Sequence, residues 1–168
     1  MRFAAIGLDH RHIYDLAAGL IAAGAECAGH DAGTSDPRVL GGFRKRFPQV
    51  PAMDRAVLLR DLAIDFVVVA AIPRDRAGIA IDAMRAGKDV LVDNPGVTTR
   101  AQLDALRAVQ AETGRIWSVG LGRMLSPAVQ EAMRLVGAGA IGRLVHIAHL
   151  APHRLNLSLI HISEPTRR

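Results

Sequence analysis

Residues 66–69 of this chain, Phe-Val-Val-Val, are apolar at every position. A strand over residues 64–71 with no polar alternation is covered on both faces, as in a parallel sheet. Residues 2–6 form a similar short run that ends at Gly7, and residues 25–30, 90–92 and 116–119 read as further strands, with a weak one at 50–52. Between them the period changes from two to 3.6. Ile13, Leu16, Ala17, Leu20 and Ile21 recur at helical spacing and stop at Gly24. Val39, Leu40, Phe43 and Phe47 do so after Asp36-Pro37, a cap followed by a first-turn proline. Asp54 caps a short helix carrying Val57, Leu58 and Leu59, and Ile79, Ala80, Ala83 and Met84 face inward on a helix that ends at Gly87. Thr99 and Gln102 have capping-box spacing ahead of Leu103, Leu106 and Val109, with Gly114 as the stop.

Strands and helices that alternate over short connections predict an α/β fold, a Rossmann-type doubly wound parallel sheet with its ligand at the carboxyl ends of the strands. The best boundary is Gly120-Leu121-Gly122, so residues 1–121 are expected to form the nucleotide-binding domain. Residues 122–156 read as the start of a truncated second α/β domain: Ser126-Pro127 caps a helix carrying Val129, Ala132, Met133 and Val136, and residues 144–150 read as a strand. That strand finds no partner later in the chain. Residues 157–168 resemble the translation of a transposon adapter used in sequencing libraries; they are set aside as a non-native tail, His161 included.

Composition narrows the picture. The net charge is +5 and only Lys45 and Lys88 among the basic residues are lysines. The densest basic run, Arg44-Lys45-Arg46, lies on one helix between two phenylalanines, and aromatic residues make up 4% of the chain. A scattered charge with little stacking surface reads as a solvated arginine-rich face, so no nucleic-acid partner is expected. Cys27 is alone, which excludes an internal disulfide and favours a reducing, cytoplasmic setting. It reads as a small buried apolar residue, and Trp117 as a core residue. No apolar run approaches the ~20 residues of a membrane span, and no secretory signal is apparent.

The candidate chemistry starts at the first turn. Strand, glycine and amphipathic helix at residues 2–24 make the opening of a dinucleotide-binding βαβ unit, in which the helix N-terminus aims N–H groups at a phosphate. Gly7, His10, His12 and Ile13 fall at that turn. So does Asp9, which has a second reading as the helix N-cap. Asp31 ends the second strand 24 residues after Gly7, near the spacing of an acid that binds the adenosine ribose, which favours NAD over NADP; its other reading is a turn residue before Ala32-Gly33. Arg74, Asp75 and Arg76 follow Pro73 at a strand end, as ligand contacts or as a helix cap. No metal site is expected: Asp9, His10 and His12 are neighbours on one turn and need further ligands to hold an ion. His146 and His149 read as ordinary packing or surface residues.

The order and spacing of several pieces resemble the N-terminal half of the Gfo/Idh/MocA oxidoreductases, from about residue 2 to about residue 150. The pieces are Ala5-Ile6-Gly7, Asp31, residues 68–73 (Val-Val-Ala-Ala-Ile-Pro), residues 86–91 (Ala-Gly-Lys-Asp-Val-Leu), Asp93-Asn94-Pro95, Val119-Gly120 and residues 139–143 (Gly-Ala-Ile-Gly-Arg). The resemblance implies an NAD(P)-dependent oxidoreductase of sugars, cyclitols or related polyols. It also implies contacts to the cofactor from Gly7, Asp9, His10, His12, Ile13, Asp31, Ala71, Pro73, Arg76, Asp93 and Asn94. A second domain would supply the catalytic histidine and often the interface of a homo-oligomer, so the 168 residues alone are expected to be inactive.

Two positions depart from the family pattern. Only the first glycine of G-x-G-x-x-G is kept, with Asp9 and His12 at the other two places. Asn94 stands where the family's Glu-Lys-Pro motif has lysine, next to Asp93. Asn94 forms hydrogen bonds but carries no proton as a general acid or base, whereas Asp93 needs a raised pKa to do so. These two are the catalytic candidates of this half. The alternative is a nucleotide-binding sensor that does no redox chemistry.

Overall fold

A computed structural model describes residues 1–33 and 36–148. The proposed tail at 157–168, His149 and His161 lie outside the described residues. The chain divides into two compact units, Met1–Arg123 and Met124–Arg168.

In the first unit, strands β1 (Arg2–Leu8), β2 (Glu26–Asp31), β3 (Ala52–Met53), β4 (Phe66–Ala70), β5 (Asp89–Asp93) and β6 (Trp117–Gly120) alternate with helices. The helices are α1 (His12–Ala22), α2 (Pro37–Arg46), α3 (Arg55–Arg60), α4 (Arg76–Arg85) and α5 (Arg100–Thr113). The strands form one sheet in the order β3-β2-β1-β4-β5-β6, with every neighbouring pair parallel. This is the doubly wound Rossmann arrangement, with β1 and β4 at the centre.

Alternate residues of the central strands feed two cores. Ala4, Ile6, Val67 and Val69 pack with Ile79, Ala83 and Met84 of α4 and Leu106 and Val109 of α5. Phe3, Ala5, Leu8, Val68 and Ala70 pack on the other face with Ile13 and Ala17 of α1 and Val39 and Phe43 of α2. All five of these β1 residues and Val67 to Ala70 are fully buried, which is why β4 shows no polar alternation. Each large side chain so buried stabilises the fold by about 1.5–3 kcal/mol.

The punctuation seen in the sequence acts as expected. Asp36 accepts the Arg38 amide at 2.9 Å, Asp54 the Ala56 amide at 2.7 Å and Thr99 the Gln102 amide at 3.2 Å. Gly114 closes α5 in the left-handed region. Cys27 is partly covered, and burial pushes its thiol up to about 11, so it is protonated and inert at neutral pH. Trp117 packs, partly buried, against the first core.

In the second unit α6 (Pro127–Gly137) is capped by Ser126 and buries none of its side chains. Residues 144–148 form no strand, and Leu144, Val145 and Ile147 are exposed. The expectation of a strand over 144–150 is corrected for these residues. Extended backbone needs a neighbouring strand to take its N–H and C=O groups, and the described residues offer none there. His146 is exposed, and the rest of that segment lies outside the described residues. No helix among the described residues is long and apolar enough to cross a membrane.

Candidate functional site

The carboxyl ends of β1, β2, β4 and β5 lie along one edge of the parallel sheet, and the first turn follows β1 there. The pairing of β1 with β4 shifts register between Ile6 and Leu8, and the residue between them, Gly7, has φ +69°. A Cβ built there meets the Ala71 Cβ at 2.6 Å, so both the backbone angle and the close approach require glycine. The amides of Asp9 and His10 donate to the Ala70 carbonyl at 3.2 and 3.0 Å. Those of Ile13 and Tyr14 donate to the His10 and Arg11 carbonyls, both at 3.1 Å. Among the described residues this leaves the Arg11 and His12 amides at the mouth of α1 for a ligand. Ile13 offers neither an amide nor an exposed side chain, because it is fully buried in the core.

Asp9 is not the cap of α1. That helix begins at His12, with Arg11 in the cap position and no side-chain cap bond. Asp9 Oδ2 instead accepts the Ile72 amide at 3.2 Å, because the chain leaving β4 runs alongside the turn. The carboxylate that narrows the turn is thus directed at the β4 loop.

A groove of about 870 Å³ runs from α4 and α5 past Gly7, Asp9 and Ala71 to Gly33 and Arg55 beyond β2. Asp31 stands beside it, almost fully buried. Its Oδ1 accepts the Gly33 amide at 2.9 Å, and its Oδ2 takes Arg55 Nε and Nη2 at 2.8 and 2.7 Å. Arg55 has no place among the residues singled out from the sequence. Its signal lies in the pairing of the two-residue β3 with β2, which sets Met53 against Asp31 and brings residue 55 within reach.

The β5 end is built differently. Arg76, expected at the ligand, is 2% exposed and spends its donors on the protein. Its Nε donates to the Ala71 carbonyl at 2.7 Å, and its Nη1 to the Asp93 and Pro95 carbonyls at 2.8 and 2.9 Å. Its Nη2 meets Asp93 Oδ2 at 2.8 Å. Burial lowers the Arg76 pKa and the Asp93 charge opposes that shift, while the guanidinium stays charged.

Asp93 is equally enclosed. Oδ1 accepts His12 Nδ1 at 2.8 Å and the Asn94 amide at 2.9 Å, while Oδ2 accepts His10 Nδ1 at 3.1 Å beside Arg76. The four lone-pair directions of this carboxylate are therefore engaged. The two imidazoles meet edge to face, with centroids 4.2 Å apart. The His10 pKa is lowered, first by burial and then by His12, with Asp93 opposing. Asn94 is exposed at the strand end and Pro73 is half-buried. The contact of His10 and His12 with a residue 81 positions onward from His12 has no signature in the sequence.

Residues 40–121 match the family model for the Gfo/Idh/MocA oxidoreductase family, NAD-binding Rossmann fold. Inositol 2-dehydrogenase 2 of Saccharopolyspora erythraea is 37% identical over 97 residues, 55% of this chain and 28% of that protein. The scyllo-inositol 2-dehydrogenase (NAD(+)) of Bacillus subtilis is 30% identical over 89 residues, 53% of this chain and 26% of its own length. Among solved structures, a proposed oxidoreductase from Erwinia carotovora atroseptica superposes with a TM-score of 0.79 at 44% identity, covering 85% of this chain and 43% of that one. The chain thus spans between about a quarter and under a half of the proteins it matches.

Proposed function

The chain carries an NAD-binding Rossmann domain of the Gfo/Idh/MocA oxidoreductase family, and from that premise we propose that it holds NAD(H) for hydride transfer with a sugar, cyclitol or related polyol. The observation that carries this reading is the groove in which the bare backbone of Gly7 lies with Gly33 and Arg55, the two partners of the Asp31 carboxylate. Those residues fit the adenosine and diphosphate of a dinucleotide. The α1 N-terminus presents the Arg11 and His12 amides with a partial positive charge to the diphosphate. Asp31 accepts the ribose hydroxyls and opposes a 2′-phosphate, which favours NAD over NADP. Ala71 and Pro73 line the path from β4 towards Asn94. When bound, the cofactor supplies a hydride donor or acceptor at its nicotinamide ring.

Asn94 is exposed where the family motif has lysine, and in this reading it orients a hydroxyl or carboxamide by hydrogen bonds without moving a proton. The relatives that carry the substrate class are the inositol dehydrogenases, which by name act on polyols. The lone cysteine favours a cytoplasmic setting. Fluorescence titration with NADH and NADPH tests the reading. It expects tighter binding of NADH, and a loss of most of that preference in Asp31→Ala. Tighter binding of NADPH overturns the NAD assignment.

A further inference from the structure

We propose that His10, His12 and Asp93 form a binding site for a divalent transition-metal ion of the zinc type, with its remaining coordination position open to solvent. The site lies at the β5 end and does not depend on dinucleotide binding.

The first ground is convergence. The His10 and His12 Nδ1 atoms lie 3.1 and 2.8 Å from the two Asp93 carboxylate oxygens, and one ligand atom from each of the three residues falls within 4.8 Å of the others. Around a tetrahedral ion with bonds of about 2.0–2.1 Å, ligand atoms stand roughly 3.3–3.4 Å apart. Each imidazole is therefore within about half an ångström of such an edge with one of the two carboxylate oxygens, Oδ2 for His10 and Oδ1 for His12, and a small turn of the carboxylate brings one oxygen to both. Neighbours on one turn lack a third ligand, and Asp93 supplies it from another strand.

The second ground is preorganisation. The turn is pinned by the Asp9 and His10 amides on the Ala70 carbonyl. Arg76 Nη2 and the Asn94 amide fix the carboxylate from behind, as outer partners do in metal sites. The third ground is access. The His10 and His12 side chains are 49% and 61% exposed while that of Asp93 is 4% exposed, so an ion reaches the imidazoles from solvent and meets a shielded carboxylate. Two imidazoles and one carboxylate suit zinc, cobalt or nickel better than calcium or magnesium. Coordination through Nδ1 moves each imidazole proton from Nδ1 to Nε2, so no net proton is released from a neutral ring.

The competing arrangement is the ion-free cluster, in which both Nδ1–H groups donate to Asp93 and the Arg76 charge repels a cation. Equilibrium dialysis of the 168-residue chain against zinc, with cobalt absorption as the geometry probe, separates the two. The site is expected to take one equivalent, and His10→Gln and His12→Gln are each expected to weaken binding by at least about 100-fold, the upper end of what losing even an outer partner costs. Cys27→Ser is expected to change nothing. Failure to bind one equivalent, binding that survives both histidine substitutions, or binding lost with Cys27 overturns the proposal. Should a histidine variant fold poorly, imidazole nitrogen shifts of the unsubstituted chain decide. Zinc must convert Nδ1 of His10 and His12 from protonated to metal-bound, and unchanged shifts at saturation overturn it.

Discussion

The two ends of this sheet edge are built on opposite plans. At the β2 end, Asp31 is nearly buried behind Gly33 and Arg55, and Arg55, its main partner, is a partly exposed side chain on a short helix that lines the groove. At the β5 end, Asp93 is enclosed by Arg76, His10, His12 and its neighbour's amide. Both acids terminate parallel strands and are nearly buried, yet one is held by a loop amide and a single partly exposed arginine, and the other by four donors. A carboxylate at a strand end is therefore no sign of a ligand contact by itself; what decides is whether donors from the protein have already filled its lone pairs.

Removing Arg76 attacks the closed end and carries the largest expected effect. Arg76→Met leaves Asp93 buried without its cation, a change that costs about 3–5 kcal/mol when one partner of a buried pair is removed. Urea unfolding measures it, and a loss under about 1 kcal/mol would show that the cluster does not hold β5 to α4.

Gly7→Ala strikes the turn that the two ends share. It is expected to cost about 2–4 kcal/mol, of which ~1–2 is the left-handed angle and the rest the collision with Ala71. Thermal unfolding measures the stability, and the same material should lose dinucleotide binding.

Asp31→Asn tests the β2 end. Stability should change little, because Arg55 is free to turn to solvent. Affinity for NADH should fall about tenfold to a hundredfold, the scale of a hydrogen bond to a charged group. An equal loss of stability and affinity would make Asp31 a fixed structural partner, as Asp93 is.

The smallest effect is a pH dependence at the β2 end. His30, on β2 next to Asp31, is almost fully buried, and its pKa is lowered first by burial and then by Arg44. The unfolded chain takes up a proton at this residue near pH 6.5, while the folded chain resists until lower pH. Stability from this group is thus complete above about pH 6.5 and is lost as pH falls through the folded value. Urea midpoints across that range should decline on acidification, and His30→Gln should flatten the decline.

The fold was legible because its signals are local. Caps at Asp36, Asp54 and Thr99, stops at Gly24, Gly87 and Gly114, and the unbroken Phe-Val-Val-Val run each act within a few residues, and the strands fall within two or three residues of where the pattern puts them. Gly7 and Asp31 were legible for the same reason, as ends of strands at a known spacing. The β5 cluster was not. It depends on side chains from residues 10, 12, 76 and 93 meeting across the sheet. An arginine after a strand reads as a surface contact, since arginine is rarely fully buried unless paired, and its pairing is invisible without the fold. Asp9 misled by proximity: its cap role required α1 to start earlier than His12. The strand at 144–150 failed among its described residues for want of a neighbour, a condition that periodicity does not report.

The central claim is that the turn after β1 and the carboxylate after β2 hold a nicotinamide dinucleotide. Isothermal titration of the folded chain with NADH, its helix and sheet content verified by circular dichroism, tests this most directly. One site with saturable heat, weakened in Asp31→Asn, is the expected result. Absence of heat with both NADH and NAD⁺ on folded material contradicts it.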